Sequence, residues 1–364
     1  MKKNIIFFLA NFEQGGAGKS IANLCSSINQ NKYNISIVCL NKCFYKKKFI
    51  KKNIKVIEIN KKKVIFAQWQ ISKIIQDHLR TKQKTIFVSN LYYSNALISI
   101  FQKKRKNLKF VFIERTPLQE LSIYFSIKDF LTKKIITIIL KFFYKRADTI
   151  VANSKKTSQD IMKFSNCAAT YVYPPAYSNN NKKILKKDNR ILNILAIGRL
   201  SREKNFSYLI NTLHRLSHVK FVLRIVGDGP DKEMLEKLVI KLKLQDKIFF
   251  LGFKNNINFF LNNSDLLIHT SKFEGFPNVV VEAISAGVPV ISSDSHGGIR
   301  EIMKKREFGL IYSSNIKHSL TKKINYFITH RQHFKIIKKN VHKIFRYYSS
   351  KFSTTKYEKI FDSL

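Results

Sequence analysis

Acidic residues are scarce in this chain. Its 364 residues hold 23 Asp and Glu against 67 Lys and Arg, a formal charge of +44. Such a field favours polyanions as partners: nucleic acid, anionic lipid or phosphorylated substrates. Lys, Ile and Asn recur so often that genomic base composition is an equal explanation for the excess. Cysteine is also rare. Cys25, Cys39, Cys43 and Cys167 form no C-x-x-C pair, which argues against zinc and disulfides and fits buried thiols in a reducing cytoplasm. No run approaches the ~20 apolar residues of a membrane span. The densest, Ile135–Leu140, is short and lies between lysines. Met1–Ala10 starts basic and turns apolar, but Asn11 and Glu13 follow without a small-residue cleavage site. It reads as a first buried strand, not a signal peptide.

What is present is a core. Apolar residues make up 45% of the chain, enough to exclude intrinsic disorder. The length suits about two domains. Short apolar runs alternate with amphipathic segments throughout. Strands are expected at Asn4–Leu9, Ile35–Leu40, Lys55–Ile59, Thr85–Val88, Lys109–Ile113 and Thr149–Ala152. Others are expected at Ile191–Ile197, Val219–Val226, Lys247–Leu251, Asp265–His269 and Val288–Ser292. Continuous apolar runs suit strands covered on both faces. The β-α-β-α rhythm implies an α/β chain with parallel sheets and right-handed crossovers. Tyr173-Pro174-Pro175-Ala176-Tyr177 and the lysine-rich stretch to Arg190 read as a linker. Two Rossmann-like domains are therefore expected, at residues 1–177 and 178–340. A basic C-terminal helical segment, residues 341–364, is expected to pack back on the first.

Gln14-Gly15-Gly16-Ala17-Gly18-Lys19-Ser20 superficially suggests a P-loop, but the position that needs the leading glycine is Glu13. The loop follows a strand and opens a helix. Gly15 and Gly16 either let a ligand approach the backbone or simply make a tight turn. Gly198-Arg199-Leu200-Ser201-Arg202-Glu203-Lys204-Asn205 begins where another strand ends. Ligands of open α/β sheets bind at such strand ends. Arg199 and Lys204 there suit a diphosphate, the first as a chelating guanidinium and the second as a point charge. In Ser271–Ile291 a strand runs into a loop carrying Glu274. Gly275 permits close approach, and Pro277 suits the first turn of a helix. The N–H groups near Asn278 and Val279 make an anion site. Glu274 before the helix and Glu282 on it suit sugar hydroxyls better than phosphate.

Glu274–Ile291 resembles the E-x(7)-E signature of retaining GT-B glycosyltransferases, most closely glycosyltransferase family 4. Gly198-Arg199-Leu200 with Lys204-Asn205, then Val226-Gly227-Asp228-Gly229-Pro230, then Glu274–Val290 follow the family order. The resemblance is dense over about residues 190–312 and weak over 1–175. It implies the GT-B architecture, two Rossmann-like domains facing across a cleft. It also implies transfer of a hexose-type sugar from a nucleotide-sugar donor, a UDP-sugar, with retention. Arg199 and Lys204 would neutralise the departing diphosphate. Glu274 would bind hydroxyls of the transferred sugar and Glu282 the ribose. Backbone N–H groups around Phe276–Val279, those of Phe276, Asn278 and Val279 on either side of Pro277, would touch sugar and phosphate, and the segment around Gly252 would face the base. No D-x-D motif is visible, and with two basic residues no metal or cofactor is required.

Many relatives carry a His near the reacting sugar in the first domain. Here the matching strand end reads Phe112-Ile113-Glu114-Arg115-Thr116-Pro117. Glu114 or Arg115 would contact donor sugar or acceptor, or form an ion pair with each other. Phe125–Arg146 interleaves aromatic and branched residues with six cations. It suits an anionic membrane interface, and equally a core helix with a solvated basic face. The acceptor is then a membrane-associated glycan or lipid-linked intermediate of a surface polysaccharide such as lipopolysaccharide. The enzyme would be cytoplasmic or peripheral on the cytoplasmic face. A soluble sugar-metabolism transferase and a polyanion-binding protein on a degenerate GT-B scaffold are the alternatives. Nucleic acid is not expected, because no recognisable DNA- or RNA-binding module is visible.

Overall fold

The computed structural model describes residues 2–12, 15–176, 191–216, 218–304, 308–334, 341 and 346–364. The lysine-rich stretch from Ser178 to Arg190, read above as part of a linker, lies outside them. The chain divides into two units: Met1–Pro175 with Tyr348–Leu364, and Ala176–Tyr347.

The first unit is built on strands β1 (Lys3–Phe8), β2 (Tyr33–Cys39), β3 (Lys55–Glu58), β4 (Thr85–Asn90), β5 (Leu108–Glu114), β6 (Thr149–Ala152) and β7 (Ala169–Tyr171). Their order is β3-β2-β1-β4-β5-β6-β7, and every pair is parallel. The continuous apolar runs are explained by the pleat, which sends alternate side chains to opposite faces. Ile5 and Phe7 enter one core with Ile86, Val88, Val111 and Ile113. Ile6 and Phe8 enter the other with Phe87, Phe110 and Phe112.

The helix Ser350–Ser363 completes the first of these cores. Ser349 caps it, its hydroxyl accepting from the Phe352 amide at 3.3 Å. Phe361 meets Phe7 and Tyr33 edge-on, with ring centroids 6.2 and 6.0 Å apart. Lys3 Nζ donates to the carbonyls of Phe361 and Asp362 at 2.8 and 3.0 Å. A cation at a helix C-terminus satisfies carbonyls that have no partner within the helix.

The helix Ile127–Phe143 lies against the second core and is turned in an unusual way. Ile136 and Leu140 are buried, and so is Lys133, at 7% exposure. Lys133 Nζ donates to the Ile123 carbonyl at 2.7 Å and pairs with Asp129 at 3.2 Å. Ile127 is 82% exposed, and Leu131, Ile135, Ile138 and Phe142 are exposed with it. Their spacing of three and four places them in one outward stripe, with exposed Lys128, Lys134 and Lys141 beside it.

The second unit contains β8 (Leu192–Ile197), β9 (Phe221–Val226), β10 (Ile248–Phe250), β11 (Leu266–His269), β12 (Val290–Ser293) and β13 (Gly309–Tyr312). Their order, β10-β9-β8-β11-β12-β13, repeats that of the first six strands of the first unit, and the pairs are again parallel. Eleven of these strands stand where the apolar runs place them, with no end shifted by more than two residues. The exceptions, β7 and β13, are edge strands. In each sheet the winding reverses between the first and fourth strands, where a crevice opens at the carboxyl ends. In the second unit those strands are β8 and β11.

Candidate functional site

The turn after β8 is held by glycine contacts that side chains would forbid. Gly227 has φ +147°, and a Cβ on it would lie 1.8 Å from the Gly198 carbonyl oxygen. A Cβ on Gly229 would lie 2.4 Å from the Leu200 oxygen. Through these close approaches the Gly198 amide donates to Val226 O at 3.0 Å and the Leu200 amide to Asp228 O at 2.9 Å. The Gly227 amide reaches Gly252 O at 2.9 Å, so the Gly252 segment after β10 belongs to the same backbone cluster. Arg199 projects from this turn and is exposed. Its side chain has no hydrogen bond or ion pair among the described residues.

A short 3-10 turn, Arg202–Lys204, follows and ends at Asn205 in the left-handed region, φ 56°. It is stitched to the loop after β11. Thr270 Oγ1 donates to Lys204 O at 2.7 Å, and the Lys272 amide to Glu203 O at 2.8 Å. Lys204 Nζ pairs with Glu274 Oε2 as a result. Ser271 Oγ donates to the same oxygen at 3.3 Å, and His269 Nε2 stands 3.7 Å from it. Burial alone would push the Glu274 carboxyl up. The Lys204 ammonium and His269 outweigh burial and hold it at about 2. Glu274 is therefore a carboxylate at any physiological pH. Its backbone is fixed from the far side. The Glu274 amide donates to His296 O at 3.1 Å, and Gly297, at φ +122°, leaves room for the Glu274 carbonyl that a Cβ would strike at 1.9 Å.

The helix Asn278–Ser285 starts four residues after Glu274 and has no side-chain cap. The Val280 amide is taken by Pro277 O at 3.0 Å, but the Asn278 and Val279 amides lie in the first turn, where a helix leaves its donors without carbonyl partners, at the partial positive end of the dipole. Phe276 and Pro277 are buried; Asn278, Val279 and Glu282 are half-buried. Asn278 Oδ1 is buried without a hydrogen-bond partner among the described residues. This unit therefore joins Lys204 to Glu274 directly and ties Gly252 to the Arg199 turn through the backbone. Its donors suit a diphosphate, and its carboxylates suit hydroxyls. Among the described residues, no group of three or more His, Cys, Asp or Glu side chains could hold a metal ion.

In the first unit Gly15 stands at the N-cap of the helix Gly16–Ser27, again with no side-chain cap, and Gly15 and Gly16 are exposed. Glu114 ends β5, Arg115 follows it, and the two point to opposite faces. No ion pair joins them among the described residues. Glu114 is fully buried and accepts from Asn95 Nδ2 at 2.6 Å and from the Tyr144 hydroxyl. Burial pushes its carboxyl up to about 8 against the pull of those two donors. Arg115 is half-buried towards Cys25 and Tyr357, and burial lowers its pKa. Its Nε has no hydrogen-bond partner among the described residues.

Sequence reasoning missed His269, Ser271, Ser292, Asn95 and Tyr144. His269 ends an apolar strand, where a polar residue is a usable signal. The others are ordinary residues whose roles depend on neighbours distant in sequence.

Residues 178–344 match the model of the family described as glycosyl transferases group 1. An uncharacterized glycosyltransferase of Methanocaldococcus jannaschii is 32% identical over 222 residues, 57% of this chain and 53% of that protein. N-acetylgalactosamine-N,N'-diacetylbacillosaminyl-diphospho-undecaprenol 4-alpha-N-acetylgalactosaminyltransferase of Campylobacter jejuni is 30% identical over 187 residues, 50% of this chain and 51% of that protein. The chain thus spans about half the length of these two relatives. The crystal structure of Anabaena HepE in complex with UDP-glucose superposes with a TM-score of 0.79 at 18% identity, over 99% of this chain and all of that one. The match to glycosyl transferases group 1 thus covers a little under half of the chain, and the structural likeness shows the fold, which is GT-B.

Proposed function

We propose that the protein is a retaining glycosyltransferase that moves a sugar from a UDP-sugar to a membrane-associated glycan or lipid-linked acceptor in surface polysaccharide biosynthesis. The observation that carries this reading is the Lys204–Glu274 pair beside the uncapped helix at Asn278. Departure of a nucleoside diphosphate is limited by developing negative charge, so fixed cations and helix amides are the groups that accelerate it. An ammonium has three hydrogens. Lys204 can hold Glu274 with one and a phosphate oxygen with another. Arg199 adds an exposed guanidinium, Glu274 takes sugar hydroxyls and Glu282 the ribose. The donor is a substrate, and no further cofactor is invoked.

The similar structure binds UDP-glucose, and the Campylobacter relative is named for a diphospho-undecaprenol acceptor. Both support the donor and acceptor classes. No helix among the described residues is long and apolar enough to cross a membrane. The outward stripe Ile127–Phe142, flanked by lysines, supports contact with an anionic membrane surface. The deciding experiment is a panel of UDP-, GDP- and ADP-sugars tested by thermal shift and by donor hydrolysis. UDP-sugars are expected to stabilise the chain and be hydrolysed slowly. Binding of polyanions without turnover of any nucleotide sugar favours the non-catalytic reading.

A further inference from the structure

His269 has no part in the site as read from the motifs, yet it is built into it. It ends β11, is 5% exposed, and lies opposite Ser292 in the parallel register with β12. Its Nδ1 is 2.9 Å from Ser292 Oγ, and its Nε2 faces Glu274 Oε2 at 3.7 Å. Nε2 has no hydrogen-bond partner within 3.5 Å among the described residues, and Glu274 is the acceptor it faces. A neutral imidazole carries one hydrogen and one lone pair. With the hydrogen on Nδ1, a bare lone pair would face a carboxylate. With the hydrogen on Nε2, the positive end of the N–H bond faces the carboxylate, and Ser292 gives its own hydrogen to Nδ1.

We infer that Ser292, His269 and Glu274 form a positioning relay: Ser292 Oγ–H to Nδ1, and Nε2–H towards Glu274 Oε2. Oε2 is then steered by Lys204, Ser271 and His269 together, and Oε1 is left to accept a ligand hydroxyl. The inference rests on the reading of Glu274 as the sugar-side carboxylate. The relay has a second satisfied state. Ser292 Oγ is also 3.0 Å from Ser293 O. When His269 takes a second proton, Nδ1–H donates to Ser292 and the hydroxyl turns to that carbonyl. The imidazolium then draws Oε2 away from Lys204 and weakens Glu274 as an acceptor. The charged groups that act on His269 are Glu274, from its own loop, and Lys204, from the turn after β8. Burial outweighs Glu274 and holds the His269 pKa below the ordinary histidine value.

The test uses the full chain and two readouts. In 15N-histidine spectra, with His269 assigned by its loss in His269→Gln, the proton is expected on Nε2 at neutral pH. Glu274→Gln should move the His269 midpoint further down, because a carboxylate that favours the imidazolium is gone. A proton on Nδ1, or a midpoint unmoved by Glu274→Gln, overturns the relay. In the second readout, kcat, KM and UDP affinity are followed from pH 5 to 9 with the best of UDP-glucose, UDP-galactose and their N-acetyl counterparts. His269→Phe is expected to lower kcat by roughly 10–10²-fold, the scale of a misplaced reacting group, with less effect on UDP affinity. His269→Gln, which keeps an N–H donor but does not titrate, should recover part of that loss and abolish the acid limb of the profile. An acid limb that persists in His269→Gln overturns the switch. If the wild type turns over none of these donors, the proposed function falls, and the spectra still decide whether the relay exists.

Discussion

The ammonium of Lys204 and the carboxylate of Glu274, 70 residues apart in the chain, share an ion pair at the carboxyl ends of two adjacent parallel strands. Both side chains are 22% exposed. A pair so placed is neither a screened surface bridge nor a sealed core pair, and each member keeps part of its surface for a ligand.

Replacing Lys204 or Arg199 with Ala is expected to reduce transfer by roughly 10²–10³-fold, the cost of one group aimed at developing charge. Lys204→Ala should do more, because it also removes the partner that holds Glu274 ionised. Steady-state rates with a saturating UDP-sugar check this. Near-normal turnover in the double variant would refute the diphosphate role.

The two carboxylates should separate by readout. Glu282→Gln is expected to weaken UDP binding, and Glu274→Gln mainly to lower the transfer rate. Calorimetric UDP affinity measured beside kcat distinguishes them. Equal effects of both variants on both quantities count against a ribose role for one and a sugar role for the other.

Glu114 and Glu274 should respond to pH in opposite senses. Glu274 is held at about 2, so its contribution to stability is present above the ordinary carboxyl value of 4.5 and is lost as pH falls towards 2. Glu114 is pushed up to about 8, so its folded form favours the proton; its contribution is full below 4.5 and is lost as pH rises through 8. Glu114→Gln keeps an acceptor for Tyr144 and Asn95 and removes the charge. The variant should melt above the wild type at pH 8.5, with a shift of about 2–4 °C for each kcal/mol recovered, and the difference should close at pH 4. Equal destabilisation at both values would show that Glu114 is held as a carboxylate.

Vesicle binding should depend on Lys128, Lys134 and Lys141 and not on Lys133, which is turned inward onto Asp129 and Ile123. Each exposed cation near an anionic surface is worth about 1 kcal/mol. Reversing those three to Glu should release the chain from anionic liposomes in a sedimentation assay. Retained binding after reversal would show that this helix is not the contact.

Most of the sheet is legible in the chain because both faces of each inner strand are covered. Ile5–Phe8 reads as a strand because alternate residues feed separate cores, and a run apolar at every position has few other uses. Ala169–Tyr171 does not read as one, since an edge strand of three half-exposed or exposed residues leaves no apolar run. The ends of β8 and β11 are legible as loops rich in ligand-type residues. The fastening of those loops is not. Gly227 and Gly297 matter for what touches them, and nothing in a lone glycine reveals a carbonyl under 2 Å from its missing Cβ. Glu114 misleads for a similar reason. A Glu-Arg pair at a strand end suggests an exposed ionic site, but Asn95 and Tyr144, 19 and 30 residues away, complete a closed polar pocket around the first of the two.

The return of Ser350–Ser363 to the first unit sets an order for assembly. The second unit is one unbroken stretch, whereas the first lacks Tyr357 and Phe361 until the chain has passed through all of Ala176–Tyr347. Domains tend to close as they leave the ribosome, earliest first. In this chain the earlier unit waits, with Phe7 and Tyr33 uncovered, while the later one has everything it needs. A nascent chain stalled before Ser350 is therefore a natural client for a holding chaperone, and a tag or cleavage placed between Tyr348 and Tyr357 would undo the first unit while leaving the stretch of the second intact.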